Sequence, residues 1–234
     1  MPDTVTASEE YARRFSGDAG AFLLGVQDAC VGSLLDTSPA LERASSVLDH
    51  AGTHGQLARL LERRGYFRTV SASSDLVDRA CTNSPKIVGP LNAVDRPDGS
   101  FDAVVCVRLL AHVSDIEASV REMCRLARVS VIVDYPSLRS VNMFSRWLFK
   151  YKKRIERNTR EFVSISDTRL RQIFEDNGFA LVRIERQFFI PMALHRAMGD
   201  TAIMRFLERS ARTLGLVKLF GNPVTARFDR ITQV

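Results

Sequence analysis

The sequence predicts an α/β domain built on a mostly parallel sheet with helices on both faces. Two near-continuous apolar segments, FDAVVCV at 101–107 and VSVIVDY at 129–135, have the composition of buried parallel strands. Strand-like and helix-like segments alternate over the first 136 residues, as they do in parallel sheets with crossover helices. A turn of small residues at 51–55 follows the first strand, where open α/β sheets bind ligands.

The elements before residue 136 follow from hydrophobic periodicity and from breaks at glycine. A helix is predicted at 18–35, because its apolar residues recur at helical spacing. Five strands are then predicted at 46–50, 67–72, 86–89, 101–107 and 129–134. The intervening helices are predicted at 55–64, 74–82 and 115–127.

The pattern changes after the fifth strand. Helices are predicted at 140–157 and 167–177, and Gly178 ends the second one. A strand at 179–188 and a final strand at 223–231 enclose a helical insertion at about 191–217. We expect one domain over 1–234, with a helical cap at 1–40, a core at 45–136 and additional elements at 137–234.

Composition excludes several classes of protein. The 234 residues are 45% hydrophobic and 26% charged, which is ordinary for a globular protein. No uninterrupted apolar stretch reaches the ~20 residues of a membrane span, and the first residues do not resemble a signal peptide. The four cysteines form no C-x-x-C pair, so we expect reduced thiols, no metal site and a cytoplasmic protein.

The net charge of +6 is concentrated in one segment. Residues 146–160 contain seven Lys/Arg and one acid, Glu156. Apolar residues at helical spacing predict an amphipathic basic helix over about 142–160. It can lie on an anionic membrane, bind phosphate backbones, or pack on the domain as a lid with a solvated face. No aromatic recognition motif accompanies it, so we do not expect nucleic acid as a partner.

The most informative motif is the turn in SSVLDHAGTHGQLARLL, residues 45–61. Asp49 ends the strand, and Gly52 and Gly55 lie in a turn that we expect to open a helix at Gly55. Small residues let a ligand approach the backbone, and a helix N-terminus offers unpaired N–H groups. A dinucleotide fingerprint requires three glycines in register, so a pyrophosphate-binding loop is not expected.

This turn resembles the first motif of class I S-adenosylmethionine-dependent methyltransferases, acidic-x-Gly-x-Gly-x-Gly. Ala51 and Thr53 replace two of its glycines. The segments PDGSFDAV at 97–104 and HVSDIEASVREMCRLAR at 112–128 further resemble the UbiE-like, type 11 methyltransferases. The resemblance covers about residues 45–136. It implies a Rossmann-like class I methyltransferase fold, with a seven-stranded sheet and a reversed last hairpin, and S-adenosyl-L-methionine as the cofactor.

Two further positions depart from the family pattern. Ser71 stands where the family has an acidic residue that binds the ribose hydroxyls, and Asp75 lies one helical turn later. Pro90 stands where an Asp usually receives the adenine amino group, and Asn92 is the nearest polar side chain. Either the cofactor binds in a manner specific to a subgroup, or the domain has lost it.

The resemblance implies a set of cofactor-binding residues. They are Tyr11, Asp49, Ala51, Gly52, Gly55, Ser71, Asn92 and Arg108. Arg108 can bind the cofactor carboxylate or an anionic substrate, or form a surface ion pair. Tyr11 can lie over the cofactor, as an N-terminal aromatic residue does in many family members, or it can be an ordinary core residue.

Three residues are candidates for catalysis. His112 follows the fourth strand and can act as a general base, because an unperturbed histidine pKa near ~6.5 suits proton removal at neutral pH; it can also be a helix cap. Tyr135 and Asp134 end the fifth strand and can line the acceptor pocket, although Asp134 can instead be a turn residue. His195 contributes only if the inserted helix folds over the site, and His54 can contact the cofactor or cap a helix.

The sequence therefore predicts a methyltransferase. We expect transfer to an oxygen of a small-molecule, natural-product or lipid- or glycan-linked metabolite. Two alternatives stay open. One is a methyltransferase-fold protein without methyl transfer, either a partner subunit or a repurposed catalyst. The other is a membrane-surface binding module that uses the basic helix 142–160.

Overall fold

The computed structural model describes residues 6, 8–73, 83–140, 164–199 and 201–231. They form one seven-stranded sheet in the order β3-β2-β1-β4-β5-β7-β6. The strands are β1 Ser46–His50, β2 Phe67–Ala72, β3 Lys86–Val88, β4 Phe101–Cys106, β5 Ala127–Tyr135, β6 Phe179–Phe188 and β7 Asn222–Arg230. Only β7 runs antiparallel to its neighbours β5 and β6, so the predicted mostly parallel sheet with a reversed last hairpin is confirmed.

Eight helices are described around the sheet. They are α1 Glu9–Arg13, α2 Gly17–Asp36, α3 Ala58–Arg63, α4 Ile116–Leu126, α5 Asp167–Asp176, α6 Met192–Met198, α7 Ala202–Thr213 and α8 Leu216–Phe220. The last three form the predicted insertion before the final strand. The predicted helices at 74–82, 140–157 and 142–160 lie outside the described residues, as does Asp75.

One predicted helix begins later than expected. The prediction placed its start at Gly55, whereas α3 begins at Ala58. Gly55 has φ +62°, in the left-handed region, which interrupts a right-handed helix. The intervening residues form turns, and the Ala58 N–H donates to the Gly55 carbonyl at 3.1 Å.

Apolar side chains fill both faces of the sheet, because successive strand residues alternate in direction. Leu48, Val104 and Val133 belong to the core on the side of α4 and α5. Val47, Val105 and Ile132 belong to the core that also contains residues of α2 and α3. These two faces determine where each polar residue at the strand ends points.

Helix α2 is long and apolar. It has 20 residues and contains an 18-residue stretch with a mean hydropathy of 1.2, and within the described part of the chain it is the one helix with the length and composition of a membrane span. Leu23, Val31, Leu34 and Leu35 on this helix are buried. The helix contacts β6 and β7, so packing on the sheet accounts for its apolar character.

Candidate functional site

The turn after β1 keeps a backbone shape that glycine adopts freely. Ala51 has φ +63°, in the left-handed region, where the family motif has glycine. Left-handed backbone costs an L-residue about 1–2 kcal/mol. The Ala51 N–H donates to the Ser71 carbonyl at 2.9 Å and thereby attaches the turn to the end of β2. Ala51 therefore adopts, in this turn, a conformation that glycine adopts at lower cost.

A buried ion pair lies beneath this turn. Arg68 on β2 donates from Nε and Nη2 to Asp49 Oδ2, at 3.0 and 2.6 Å. Both side chains are 1% exposed. Burial raises the pKa of the Asp49 carboxyl, and the Arg68 guanidinium opposes that rise. Both donated bonds end on Oδ2, and Oδ1 has no hydrogen-bond partner among the described residues.

The same carboxylate explains the glycine at position 52. A Cβ on Gly52 would lie 2.2 Å from Asp49 Oδ2 and from its carboxyl carbon. A contact this short is not possible, so any side chain at this position would displace the carboxylate. Gly52 is therefore required by the protein's own ion pair as well as by the predicted approach of a ligand.

The predicted ribose-binding residue is engaged by a neighbouring histidine. Ser71 Oγ lies 2.9 Å from His50 Nδ1, and both side chains are buried. Their contact follows from the parallel register, in which His50 and Ser71 are paired across β1 and β2. Where the family has a carboxylate, this chain has a buried serine–histidine pair.

The loop after β3 leaves the predicted adenine-binding residue at the surface. Asn92 and Pro90 are both exposed. The loop is fixed nearby by the Val94 N–H, which donates to Glu122 Oε1 at 2.7 Å. The role of Asn92 in cofactor binding stays a prediction.

Arg108, at the end of β4, is held by two different contacts. Its backbone has φ +64°, and its N–H donates to the carboxylate of Asp134 on β5. Its guanidinium lies over the Phe15 ring, 3.6 Å from the ring centroid. Arg108 therefore does not form the alternative surface ion pair. Its Nη1 is buried and, in the part of the chain that the structure describes, has no hydrogen-bond partner.

Asp28 on α2 has a complementary unpaired atom. It interacts electrostatically with Arg63 and, less strongly, with Arg108, and its buried Oδ1 has no hydrogen-bond partner within the described ranges. Burial raises the pKa of Asp28 and lowers that of Arg108. The neighbouring Gln27 Nε2 is likewise buried without a partner there. Arg108 Nη1 and Asp28 Oδ1 thus offer one donor and one acceptor near the carboxyl end of β4.

Tyr11 and His112 meet at the same edge of the sheet. The two rings are 5.7 Å apart between centroids and stand at 89° to each other. Burial raises the pKa of the Tyr11 hydroxyl, and the nearby Arg108 opposes that rise. The structure thus brings together three predicted site residues, Tyr11, Arg108 and His112. The position of Tyr11 over a cofactor stays a prediction.

Asp134 and Tyr135 point to opposite faces of the sheet, because adjacent strand residues alternate in direction. The role of Tyr135 in an acceptor pocket stays a prediction. Asp134 lies on the side of Arg108, where burial raises its pKa to about 6 against the bond from the Arg108 N–H. Tyr135 lies in the other core and hydrogen-bonds Asp167. Its pKa is raised by burial and by the Asp167 carboxylate. The contacts of Tyr135 do not place it with His112.

His195 belongs to the packing of the insertion. Its Nε2 lies 3.0 Å from Glu208 Oε1, and its ring packs against Phe22 and Phe188. The described contacts of His195 therefore do not bring it to Tyr11 or His112. The next residue, Arg196, is closer to the site, because its charge lowers the pKa of Tyr11. His54 is half-buried within the turn after β1.

Sequence reasoning missed three residues of this site. Arg68 is a charged residue in an otherwise apolar strand, FRTVSA, and its pairing with Val47 in the register directs it to the buried face. Asp28 is an acidic residue in the middle of the apolar helix α2, away from its terminal turns, and this unusual position could have identified it. Phe15 follows α1 and gave no signal, because its partner Arg108 is 93 positions away in sequence.

The sheet order, the reversed last hairpin and the small-residue turn define an α/β domain of the class I methyltransferase type. Residues 23–184 match the model of a family described as a methyltransferase domain. This match covers more than half of the chain, and the protein belongs to that family. The UbiE-like subgroup stays a prediction. A comparison with curated proteins finds no significant match.

Solved structures share the fold at low sequence identity. Magnesium protoporphyrin IX methyltransferase from Synechocystis PCC 6803, with bound SAH, is 16% identical with a TM-score of 0.63, over 94% of this chain and 92% of that one. A SAM-dependent methyltransferase from Thermotoga maritima is 14% identical with a TM-score of 0.63, and the match covers 99% of this chain and 100% of that one. A [4+2]-cyclase is 15% identical with a TM-score of 0.59, over 88% and 82%.

Proposed function

We propose that this protein transfers a methyl group from S-adenosylmethionine to an oxygen of a small-molecule or lipid-linked acceptor. Membership of the methyltransferase-domain family supports the reaction class. The observation that carries the proposal for this chain concerns two buried atoms, Arg108 Nη1 and Asp28 Oδ1, at the carboxyl edge of the sheet. Neither atom has a hydrogen-bond partner among the described residues.

The methionine end of the cofactor is a zwitterion, and the site has the matching groups. Arg108 Nη1 is a buried donor that suits a carboxylate. Asp28 Oδ1 is a buried acceptor that suits an ammonium group. Buried polar atoms are costly when unpaired, which supports the binding of a ligand with both charges beside these two residues.

The adenosine end must bind differently from the family pattern. Ser71 and His50 replace the ribose-binding carboxylate by a neutral hydroxyl and an imidazole. These groups offer hydrogen bonds of ordinary strength, without the charge assistance of a carboxylate. We therefore expect the affinity to depend mainly on Arg108, Asp28 and the backbone of the turn at 51–55.

The bound cofactor supplies an electrophilic methyl group that an acceptor displaces in line. The chain supplies orientation and exclusion of water, which account for much of the catalysis in such a displacement. Two aromatic residues near the N-terminus pack on this part of the site: Tyr11 contacts His112, and Phe15 contacts Arg108. His112 is the group at this edge that can remove the proton of an acceptor hydroxyl.

Calorimetric titration with SAM and SAH tests the proposal. We expect both ligands to bind wild-type protein, and Asp28→Asn to weaken SAH binding by about tenfold or more, as loss of a hydrogen bond between charged groups does. Asp36→Asn is the matched control, because Asp36 lies on the same helix and pairs with Arg64 at the surface. Absence of binding at millimolar ligand, or equal effects of the two variants, would contradict the proposal.

The second candidate is a repurposed methyltransferase-fold catalyst. The replacement of the ribose-binding carboxylate by the pair His50 and Ser71 favours it. A screen of hydroxylated acceptors for SAH release distinguishes the two. Release of SAH supports methyl transfer, whereas cofactor binding without release for any acceptor supports the second candidate.

A further inference from the structure

Helix α7 of the insertion exposes an apolar strip and a basic strip, which lie side by side along the helix axis. Met204, Glu208 and Ala211 of α7 are buried and attach the helix to the domain. At 3.6 residues per turn, the exposed side chains fall into two neighbouring arcs of α7. The apolar arc contains Ile203, Phe206, Leu207 and Leu214 and spans roughly 100°. The basic arc contains Arg205, Arg209 and Arg212 and spans roughly 60°.

The apolar arc is unusually exposed. Ile203 is 65% and Phe206 is 68% exposed, and Leu214 at the end of the helix is 73% exposed. Isolated exposed apolar residues need no explanation, but several on one face of a helix mark an interaction surface. The domain itself provides no cover for this arc among the residues that the structure describes.

The exposed charges of α7 are all positive. Its one acid, Glu208, is buried and accepts hydrogen bonds from the Phe189 and Ile190 N–H groups, at 3.2 and 2.8 Å. Arg212 also donates to the Gln187 carbonyl at 3.1 Å, so it is held to the domain. Asp200, before the helix, lies outside the described residues. The outer side of α7 therefore presents apolar groups beside cations.

We propose that α7 lies on the surface of an anionic lipid bilayer. An amphipathic helix of this kind places its apolar arc among the acyl chains, and its arginines reach the lipid phosphates. A second copy of the chain would cover the apolar arc, but its own α7 offers no exposed acid to pair with the arginines. Charge complementarity thus favours an anionic lipid surface over self-association.

The helix that precedes α7 in the chain, α6, has a charged residue near the proposed site. This residue, Arg196, acts electrostatically on Tyr11. Leu194 and Met198 of α6 are also exposed apolar residues. Attachment through α7 would hold the insertion, and with it one side of the site, close to a bilayer. The lipid-binding proposal does not depend on methyl transfer.

Vesicle flotation with the full-length protein tests the inference. We expect binding to vesicles of phosphatidylglycerol and phosphatidylcholine in equal amounts, little binding to phosphatidylcholine alone, and release as NaCl is raised. Phe206→Ser should lower the partition coefficient about tenfold, and Arg209→Gln about fivefold. Equal binding to both vesicle types, or none, would overturn the proposal.

Matched variants separate this face from general effects. Phe67→Ser is the apolar control, because Phe67 is 67% exposed. It lies on β2, near the edge of the sheet opposite to β6. Arg59→Gln on α3 is the charge control, because it removes one exposed arginine. Both controls should bind as wild type does. Equal losses in Phe67→Ser and Phe206→Ser, or a dimer in light scattering that Phe206→Ser dissociates, would overturn the assignment of α7.

Discussion

Arg68 and Asp49 form an ion pair in which both side chains are 1% exposed, directly beneath the turn that follows β1. The pair connects β2 to β1 and is in contact with the backbone of the turn, since Arg68 Nη2 also lies 3.5 Å from the Gly52 carbonyl oxygen. The conformation of the proposed cofactor turn thus depends on a residue from the neighbouring strand.

Removal of one partner of this pair should be strongly destabilising. We expect Arg68→Met to lower the free energy of unfolding by about 3–5 kcal/mol, because it leaves a buried carboxylate without its cation. Urea denaturation measures the change. Arg171→Met is the control, because Arg171 and Glu175 form an exposed pair that should contribute less than about 1 kcal/mol. Similar losses in both variants would show that the buried pair is not essential.

Adjacent positions of the turn should respond in opposite directions. Ala51→Gly should stabilise the fold by about 1 kcal/mol, because φ +63° is unfavourable for alanine. Gly52→Ala should destabilise it and weaken SAH binding, because the new Cβ collides with Asp49. Thermal unfolding gives both values. Ala44→Gly, at φ +70° before β1, should stabilise without a change in SAH affinity. A destabilising Ala51→Gly would contradict this account of the turn.

The sequence predicted the sheet accurately because its strands are strongly patterned. Predicted and observed bounds are identical for β1, β2 and β6. The start of α3 was predicted three residues too early, because the left-handed backbone of Gly55 is invisible to hydrophobic periodicity. Local pattern therefore sufficed for the strands but not for the turn between them.

The site was less predictable because its contacts join distant parts of the chain. Tyr11 and His112 were predicted individually, and only the fold shows that their rings meet. Tyr135 was predicted with Asp134, but strand alternation separates them. Asp28 lies in an apolar helix whose orientation toward Arg108 depends on packing against the sheet. The residue types indicated which side chains could act in a site. Which of these side chains contact one another could be seen only in the folded structure.

Asp134 should make stability depend on pH. Its pKa is about 6 in the folded protein and about 4 when unfolded, so the folded state binds the proton more tightly. The resulting stabilisation is complete below about pH 4 and is lost as the pH rises through about 6, a change of about 2–3 kcal/mol. Asp134→Asn keeps an acceptor for the Arg108 N–H and should remove this dependence. Urea denaturation at pH 4 and pH 7 measures the free energy of unfolding. Relative to wild type, we expect this free energy to be higher for Asp134→Asn at pH 7 than at pH 4.

A surface carboxylate provides the opposite control for this pH dependence. The hydrogen bond from Arg64 lowers the pKa of Asp36, so its contribution to stability is lost as the pH falls. Relative to wild type, the free energy of unfolding of Asp36→Asn should therefore be higher at the lower pH. If Asp134→Asn shifted in the same direction as Asp36→Asn, the raised pKa of Asp134 would be refuted.

The two histidines predicted as catalytic should behave differently. With an acceptor that wild-type protein methylates in an SAH-release assay, His112→Ala should lower kcat about 10²-fold or more and leave SAH affinity unchanged. His195→Ala should instead lower the free energy of unfolding by about 1–3 kcal/mol, because Glu208 loses a buried hydrogen-bond partner. An unchanged kcat in His112→Ala would remove this residue from the role of base.

A crystal structure of the protein grown with SAH would show directly whether this site binds the cofactor. We expect SAH at the carboxyl edges of β1 and β4, with its carboxylate within about 3 Å of Arg108 Nη1 and its amino group within about 3 Å of Asp28 Oδ1. Density for SAH elsewhere, or none at a saturating concentration, with Arg108 and Asp28 paired to each other or to water, would contradict the assignment of this site to S-adenosylmethionine.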